Sequence, residues 1–192
     1  GIELNPEAKK LKKNGFEIYI GDQSDKKFWK KFYKKVGKID LLIDDGGHTN
    51  IQQITTLVES LKFIKDDGLI IIEDTHTSFM KKKGFGNPSN YSLINFSSSL
   101  IENIHRRNPN LLKKMNDFSK KIYSIEYFDS IVAFKINSKL CKKTKNLENN
   151  TLLRNFFIDF RNKRIDNNSS KKNNLFNNLI KSKISKRSIP YK

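Results

Sequence analysis

The chain has 192 residues, of which 36% are hydrophobic and 30% charged, and its net charge is +18. That length fits one compact domain with an appendage. No apolar run approaches the ~20 residues that span a bilayer. No secretory signal is visible, and the single Cys141 excludes an intrachain disulfide and fits a reducing compartment. These features favour a cytoplasmic protein.

The basic charge is concentrated near the C-terminus. Residues 137–192 hold 15 Lys/Arg against 3 Asp/Glu, so they carry +12 of the net charge. The composition there shifts to Lys and Asn, and only residues 152–160 have an apolar helical face. We therefore predict a domain over residues 1–136 and a basic extension over residues 137–192. The extension either contacts an anionic surface or serves as a solubilising tail.

The first half of the domain alternates strands and helices. Residues 1–4 are typical of the end of a strand, Asn5 and Pro6 begin a helix, and Gly15 suits its end. Residues 16–20 alternate as a second strand. Ser24 or Asp25 then caps a helix that ends at Gly37. One face of that helix is apolar and predicts burial: Phe28, Trp29, Phe32, Tyr33 and Val36.

The second half continues the alternation. A strand runs to Asp45, and Thr49 with Gln52 forms a capping box for the next helix. Its predicted buried stripe is Ile51, Ile54, Leu57, Val58, Leu61 and Ile64. A strand at 69–73 and a loop at 79–90 follow. A helix around 91–107 comes next, and its predicted buried residues are Leu93, Ile94, Leu100, Ile101 and Ile104. Strands 122–128 and 131–136 then form a hairpin. This order predicts an open α/β sheet.

Two of these strands end in acidic clusters. The first ends in Asp44-Asp45, a Gly-Gly pair and His48, and the second ends in Glu73-Asp74. In a parallel sheet both ends meet at the carboxyl edge, where such sheets bind ligands. Carboxylates suit Mg²⁺, and an imidazole beside the cation can act as a general base. Solvated strand ends and ordinary Asp-Gly turns are the alternative interpretation.

Three further positions could contribute to a site. An acidic residue at a strand end, such as Glu3, can accept the hydroxyls of a nucleotide ribose. Asp22 and Gln23 at the next strand end could then meet the adenine, although Asp22 could simply be a helix cap. For His76 we favour a structural hydrogen bond within the Thr75–Thr77 loop.

The motifs together resemble a known family. Gly-Ile-Glu-Leu-Asn-Pro, Gly-Asp-Gln-Ser-Asp, Ile-Asp-Asp-Gly-Gly-His and Ile-Glu-Asp-Thr-His-Thr-Ser occur in this order over residues 1–136. They resemble class I S-adenosylmethionine-dependent methyltransferases, and in particular the metal-dependent sugar O-methyltransferases of macrolide biosynthesis. The resemblance implies a Rossmann-like, mostly parallel sheet with a terminal antiparallel hairpin. It also implies S-adenosylmethionine and Mg²⁺ as cofactors and a sugar-containing acceptor.

The resemblance assigns eight residues to cofactor binding, metal binding and catalysis. Glu3 would bind the cofactor ribose, Asp22 and Gln23 would lie near the adenine, Asp44 would border the methionine part, Asp45, Glu73 and Asp74 would hold Mg²⁺, and His48 would deprotonate the sugar hydroxyl.

One departure from the family concerns the start of the chain. The family places a strand and a glycine-rich loop before the strand that ends at Glu3, and Gly1 already lies within that strand. The missing strand would lie between those ending at Glu3 and Asp45. We therefore expect that the chain is a fragment, poorly stable by itself and weak in cofactor binding.

Two other functions remain open from the residues alone. A metal-dependent hydrolase could use the same carboxylates and His48, although Glu3 argues against it because a hydrolase needs no ribose-binding acid. A non-catalytic binding module could act through the basic extension. An oligomer is compatible with either.

Overall fold

The computed structural model describes residues 1–81, 91–111 and 113–145, which form one unit, Gly1–Lys145. Most of the predicted 79–90 loop and the apolar segment 152–160 lie outside the described residues. The domain boundary after residue 136 stays a prediction. No helix in the described part of the chain is long and apolar enough to cross a membrane.

The first half contains three short strands and two helices. They are β1 (Ile2–Glu3), a 3-10 helix (Pro6–Asn14), β2 (Tyr19–Ile20), α1 (Lys26–Val36) and β3 (Ile39–Asp44). The predicted caps are confirmed: the Asn5 side chain accepts from the Glu7 amide, and Asp25 accepts from the Lys27 amide. Gly15 and Gly37 end the two helices with positive φ values of 85° and 76°. The second strand is shorter than predicted, since Phe16 is 61% exposed and lies outside it.

The second half completes the alternation. It contains α2 (Asn50–Ser60), β4 (Ile64–Ile72), a 3-10 helix (Thr75–Phe79), α3 (Leu93–His105), α4 (Asp117–Lys121), β5 (Ile122–Phe128) and β6 (Ile131–Ile136). The predicted capping box is present, with Thr49 and Gln52 bonded reciprocally. The predicted hairpin is also confirmed as β5 and β6, which pair antiparallel.

The described strands form two separate sheets. One has the order β3-β4-β6-β5, in which β3 and β4 are parallel and β6 is antiparallel to both of its neighbours. The other is the parallel pair β1-β2. Among the described residues no strand joins β1 to β3, and a cavity of about 580 Å³ lies between them. The facing edges of β1 and β3 therefore border the candidate site.

The core lies between the four-stranded sheet and the helices. Trp29 and Tyr33 are each 2% exposed, which confirms the predicted apolar face of α1. Two other predicted stripes are partly wrong. Ile51 is 62% exposed and Ile101 is 45% exposed, and Ile64 belongs to β4 rather than to a helix. The buried residues of α2 are mostly polar instead: Gln53, Thr55, Thr56, Leu57 and Ser60.

Candidate metal and cofactor site

The turn between β3 and α2 carries the first acidic cluster. Asp44 is the last residue of β3 and is 7% exposed, whereas Asp45 is exposed. His48 has a left-handed backbone with φ 56°, which is uncommon for a residue with a side chain. Thr49 then caps α2. The turn therefore holds Asp45 outside the sheet and returns His48 toward it.

The segment after β4 carries the second cluster. The Glu73 amide donates to the Asp44 carbonyl oxygen at 2.9 Å, so the two strand ends lie side by side, as the parallel arrangement predicts. Asp74 is also left-handed, with φ 53°. The Thr77 hydroxyl contacts the carbonyl oxygens of Asp74 at 2.8 Å and His48 at 2.9 Å. Thr77 thus connects both acidic turns.

Three side chains meet at these strand ends. Asp45, His48 and Asp74 each offer a possible ligand atom, and these atoms lie within 4.8 Å of one another. The His48 Nε2 atom is 3.4 Å from Asp74 Oδ2 and 4.0 Å from Asp45 Oδ1. Hard carboxylate oxygens at an open position fit Mg²⁺, which keeps waters or substrate oxygens as its other ligands. The buried His48 Nδ1 has no hydrogen-bond partner among the described residues.

Glu73 and His76 lie near this cluster but are not part of it. Glu73 lies outside the three-residue group, although it follows β4 directly, and its role as a ligand stays a prediction. His76 Nδ1 lies 2.6 Å from Ser130 Oγ and 3.8 Å from Asp74 Oδ1. The predicted structural hydrogen bond of His76 is therefore present, but its partner is the β5-β6 turn rather than the Thr75–Thr77 loop.

The cavity between β1 and β3 adjoins the cluster. Its lining contains all four predicted cofactor residues and one predicted metal ligand: Glu3, Asp22, Gln23, Asp44 and Asp45. Its volume of about 580 Å³ lies within the range of small-molecule pockets. Asp45 belongs to both the cavity and the three-residue cluster. A molecule in the cavity would therefore reach the cluster at Asp45.

The predicted cofactor residues differ in how they are already bonded. The Asp22 carboxylate accepts from the amide and the hydroxyl of Ser24, both at 2.8 Å, whereas the cap of α1 is Asp25 and not Asp22. The Gln23 amide donates to the Asp44 carboxylate at 2.9 and 3.0 Å. Glu3 is exposed at the end of β1. The size of the cavity and the exposed Glu3 carboxylate fit a ribose-bearing ligand.

Sequence reasoning missed two residues that shape the site. Thr77 joins the two turns, and the Gln53 amide donates to the Glu73 carbonyl oxygen at 2.9 Å. Gln53 lies on the inward face of α2 and is 1% exposed. A buried glutamine that faces a strand end requires a partner there, but its position on the helix was not evident from the apolar pattern.

The sequence is similar to curated methyltransferases, while no family model matches it. L-olivosyl-oleandolide 3-O-methyltransferase from Streptomyces antibioticus is 29% identical over 89 residues, which is 43% of this chain and 22% of the relative. Mycinamicin VI 2''-O-methyltransferase from Micromonospora griseorubida is 35% identical over 66 residues, 34% of this chain and 16% of the relative. The chain thus spans about a fifth of the length of these relatives.

The fold is similar to solved methyltransferase structures. MycE methyltransferase of the mycinamycin pathway, in complex with Mg, SAH and mycinamycin VI, superposes with a TM-score of 0.68 at 18% identity, over 79% of this chain and 39% of that one. A second MycE structure, in complex with Mg and SAH, gives a TM-score of 0.64 at 21% identity, over 71% of this chain and 36% of that one.

These findings confirm the family resemblance and the fold that the sequence predicted. The described residues adopt part of the Rossmann-like methyltransferase fold, and the relatives in sequence are O-methyltransferases of sugar-bearing natural products. The hydrolase alternative has no support from these relatives. The binding-module alternative depends on residues 137–192, most of which lie outside the described residues.

Proposed function

We propose that this protein transfers a methyl group from S-adenosylmethionine to a sugar hydroxyl, with Mg²⁺ at the strand ends. The observation that carries the proposal is the meeting of Asp45, His48 and Asp74 beside the cavity that Glu3 borders. The names of the relatives support a glycosylated acceptor.

The metal ligands we propose are Asp45 and Asp74, with Glu73 as the predicted third carboxylate. Two carboxylates leave most of an octahedral Mg²⁺ shell open to water and substrate oxygens. A bound cation would supply polarisation of the substrate oxygen and so favour its ionised form. The two carboxylates follow successive parallel strands, so the sheet brings them to the same edge.

His48 is the proposed general base. Its Nε2 atom faces the carboxylates, at 3.4 Å from Asp74 Oδ2, and its side chain is 25% exposed. A neutral imidazole can accept the hydroxyl proton at Nε2, and a neighbouring carboxylate stabilises the imidazolium that results. The hydroxyl oxygen would then form the new bond to the methyl carbon while the carbon–sulfur bond of the sulfonium breaks.

Glu3 and Asp22 are the proposed contacts to the ribose and adenine of S-adenosylmethionine. Both line the cavity, and the Glu3 carboxylate at the end of β1 can accept two hydroxyl donors. Asp44 borders the same cavity, close to Asp45, which suits the predicted position near the methionine part.

The test is methyl transfer from labelled S-adenosylmethionine to a panel of glycosylated macrolides, with Mg²⁺ and with excess chelator. We expect transfer with Mg²⁺ and its loss with chelator. His48→Gln should lower turnover by about 10²–10⁴-fold, the usual contribution of a general base. His105→Gln, at the exposed end of α3, is the matched control and should retain turnover. Undiminished transfer by His48→Gln would contradict the role of His48.

A further inference from the structure

Gln23 holds the turn between β3 and α2 through its side-chain amide. Gln23 Nε2 donates to the Asp44 carboxylate at 2.9 and 3.0 Å, and it lies 3.2 Å from Thr56 Oγ1 on α2. Gln23 Oε1 accepts from the Gly47 amide at 2.9 Å. The nitrogen has two donors, and these bonds use both of them. One side chain from the end of β2 therefore bonds the end of β3, the Gly-Gly turn and α2.

The backbone of Gln23 is itself anchored on the core. The Trp29 indole nitrogen donates to the Gln23 carbonyl oxygen at 2.7 Å, and Trp29 is 2% exposed. Because its backbone is fixed in this way, the Gln23 side chain can determine the position of a more flexible backbone segment that it contacts. The Gly46-Gly47 pair is that segment, because glycine leaves the backbone more freedom than any other residue.

The turn packs directly against the Gln23 amide. A Cβ atom added at Gly46 would lie 2.1 Å from Gln23 Oε1, so this position admits only glycine while the amide stays in place. The Asp44 carboxylate also depends on the Gln23 amide, which donates a hydrogen bond to it. Asp44 is 7% exposed, and its other hydrogen bond comes from the Gly46 amide at 3.2 Å. A buried carboxylate without such donors is costly.

We propose that Gln23 is a positioning residue of the metal site rather than a contact to the adenine. It fixes the Asp44–Gly47 turn, and the turn in turn fixes Asp45 on one side and His48 on the other. This assignment deepens the function proposed above and rests on it, because it gives Gln23 a role in cation binding by the same site.

The experiment measures cation binding and cofactor binding separately in Gln23→Met. Methionine keeps the size of the side chain and removes the amide. We expect Mn²⁺ affinity, measured by titration in the absence of acceptor, to fall about tenfold, as for other residues that orient metal ligands. Affinity for S-adenosylhomocysteine should fall less than Mn²⁺ affinity, because Gln23 lines the cavity but makes no proposed contact to the cofactor. A loss of S-adenosylhomocysteine affinity with unchanged Mn²⁺ affinity would assign Gln23 to the adenine and overturn the proposal.

A second pair of variants tests the hydrogen bond itself. Gln23→Glu alone would place two carboxylates together and should weaken Mn²⁺ binding. Combining Gln23→Glu with Asp44→Asn restores the hydrogen bond with the roles exchanged: the new amide at position 44 donates to the new carboxylate at position 23. That carboxylate can still accept from the Gly47 amide. We expect this double variant to recover Mn²⁺ affinity relative to Gln23→Glu, which a merely structural loss would not do.

Amide hydrogen exchange gives a readout that needs neither metal nor methyl transfer. In Gln23→Met the Gly47 amide should exchange faster than in the unmodified chain, since it loses its acceptor. Unchanged protection of Gly47 would overturn the proposal even if the protein transfers methyl groups. If methyl transfer fails in the unmodified chain but Gly47 loses protection, the positioning role holds and the proposed function does not. Should Gln23→Met not fold, Gln23→Asn, whose amide is one methylene too short to bridge, takes its place.

Discussion

The Thr77 hydroxyl lies 2.9 Å from the carbonyl oxygen of His48 and so joins the segment after β4 to the turn after β3. The same hydroxyl lies 2.8 Å from the Asp74 carbonyl oxygen. Both residues that it contacts have left-handed backbones and belong to the three-residue cluster. One buried hydroxyl therefore holds the two turns on which the proposed cation site depends.

Replacing Thr77 with valine should loosen the cluster without changing its side chains. The substitution removes the hydroxyl that donates to the carbonyl oxygens of His48 and Asp74. We expect this loss to lower the free energy of unfolding by about 1 kcal/mol. We expect Mn²⁺ affinity to fall about tenfold. Thr75→Val is the control, because Thr75 is 3% exposed and lies in the same 3-10 helix as Thr77. Equal Mn²⁺ affinities of the two variants would refute this role of Thr77.

Asp74→Asn should remove the cation site and preserve the fold. Asparagine and aspartate both tolerate the left-handed backbone that Asp74 adopts, so the turn is retained. The loss of one carboxylate charge should reduce Mn²⁺ affinity by at least about tenfold. Asp129→Asn, at the exposed turn of the β5-β6 hairpin, controls for the general loss of one negative charge. Titration calorimetry measures both, and wild-type affinity in Asp74→Asn would exclude Asp74 as a ligand.

Tyr33 makes the stability of the domain sensitive to alkaline pH. Burial raises the pKa of Tyr33 from its ordinary value of 10.0 to about 12. Because the folded state binds the phenolic proton more tightly than the unfolded state, the contribution to stability is complete below pH 10. It is lost as the pH rises from 10 to 12.

The measurement is the thermal midpoint between pH 9 and pH 12 in the unmodified chain and in Tyr33→Phe. The unmodified chain should lose stability more steeply than Tyr33→Phe in this window, since phenylalanine cannot ionise. Parallel curves would show that Tyr33 does not couple folding to pH.

The edge of β3 should promote self-association. β3 is the outermost strand of its sheet among the described strands, and Leu41 and Ile43 on it are 50% and 54% exposed. An apolar strand with unpaired backbone groups is a template for another chain, and a lysine on the edge opposes such pairing. Ile43→Lys should therefore lower self-association in a sedimentation-velocity dilution series. Ile101→Lys, at the 45% exposed Ile101 of α3, should have less effect; an equal effect would point to net charge instead.

Local signals in the sequence predicted the ends of the elements well. The capping box of Thr49 and Gln52, the caps at Asn5 and Asp25 and the β5-β6 hairpin are present as predicted. Each of these depends on residues within a few positions of one another, so neighbouring side chains determine the outcome.

The inward face of α2 could not be predicted from apolar spacing. Ile51 follows the helix start directly and is 62% exposed, while Gln53 is 1% exposed and bonds the Glu73 carbonyl oxygen. The polar groups at the strand ends need partners, and this need overrides the apolar pattern at the start of the helix.

The candidate site was predictable in its location and less so in its details. The rule that parallel strands end at one edge brought Asp45, His48 and Asp74 together correctly. Glu73, which lies between the end of β4 and the left-handed Asp74, is outside the group. The contacts of Thr77 and Gln23 join residues 20 or more positions apart, and single-sequence patterns carry no signal for such pairs.

At His48 and Asp74, which have left-handed backbones, the side chain that the proposed site needs lowers the stability of the fold. A side chain in this conformation costs about 1–2 kcal/mol, of which an aspartate such as Asp74 recovers part through local hydrogen bonds, whereas glycine's extra freedom disfavours folding by roughly 0.5–1 kcal/mol. Glycine would thus be the easier residue at both positions, yet it would remove the imidazole or the carboxylate. Directed evolution that selects for heat resistance alone would therefore drift toward a protein that folds better and has lost its cation site.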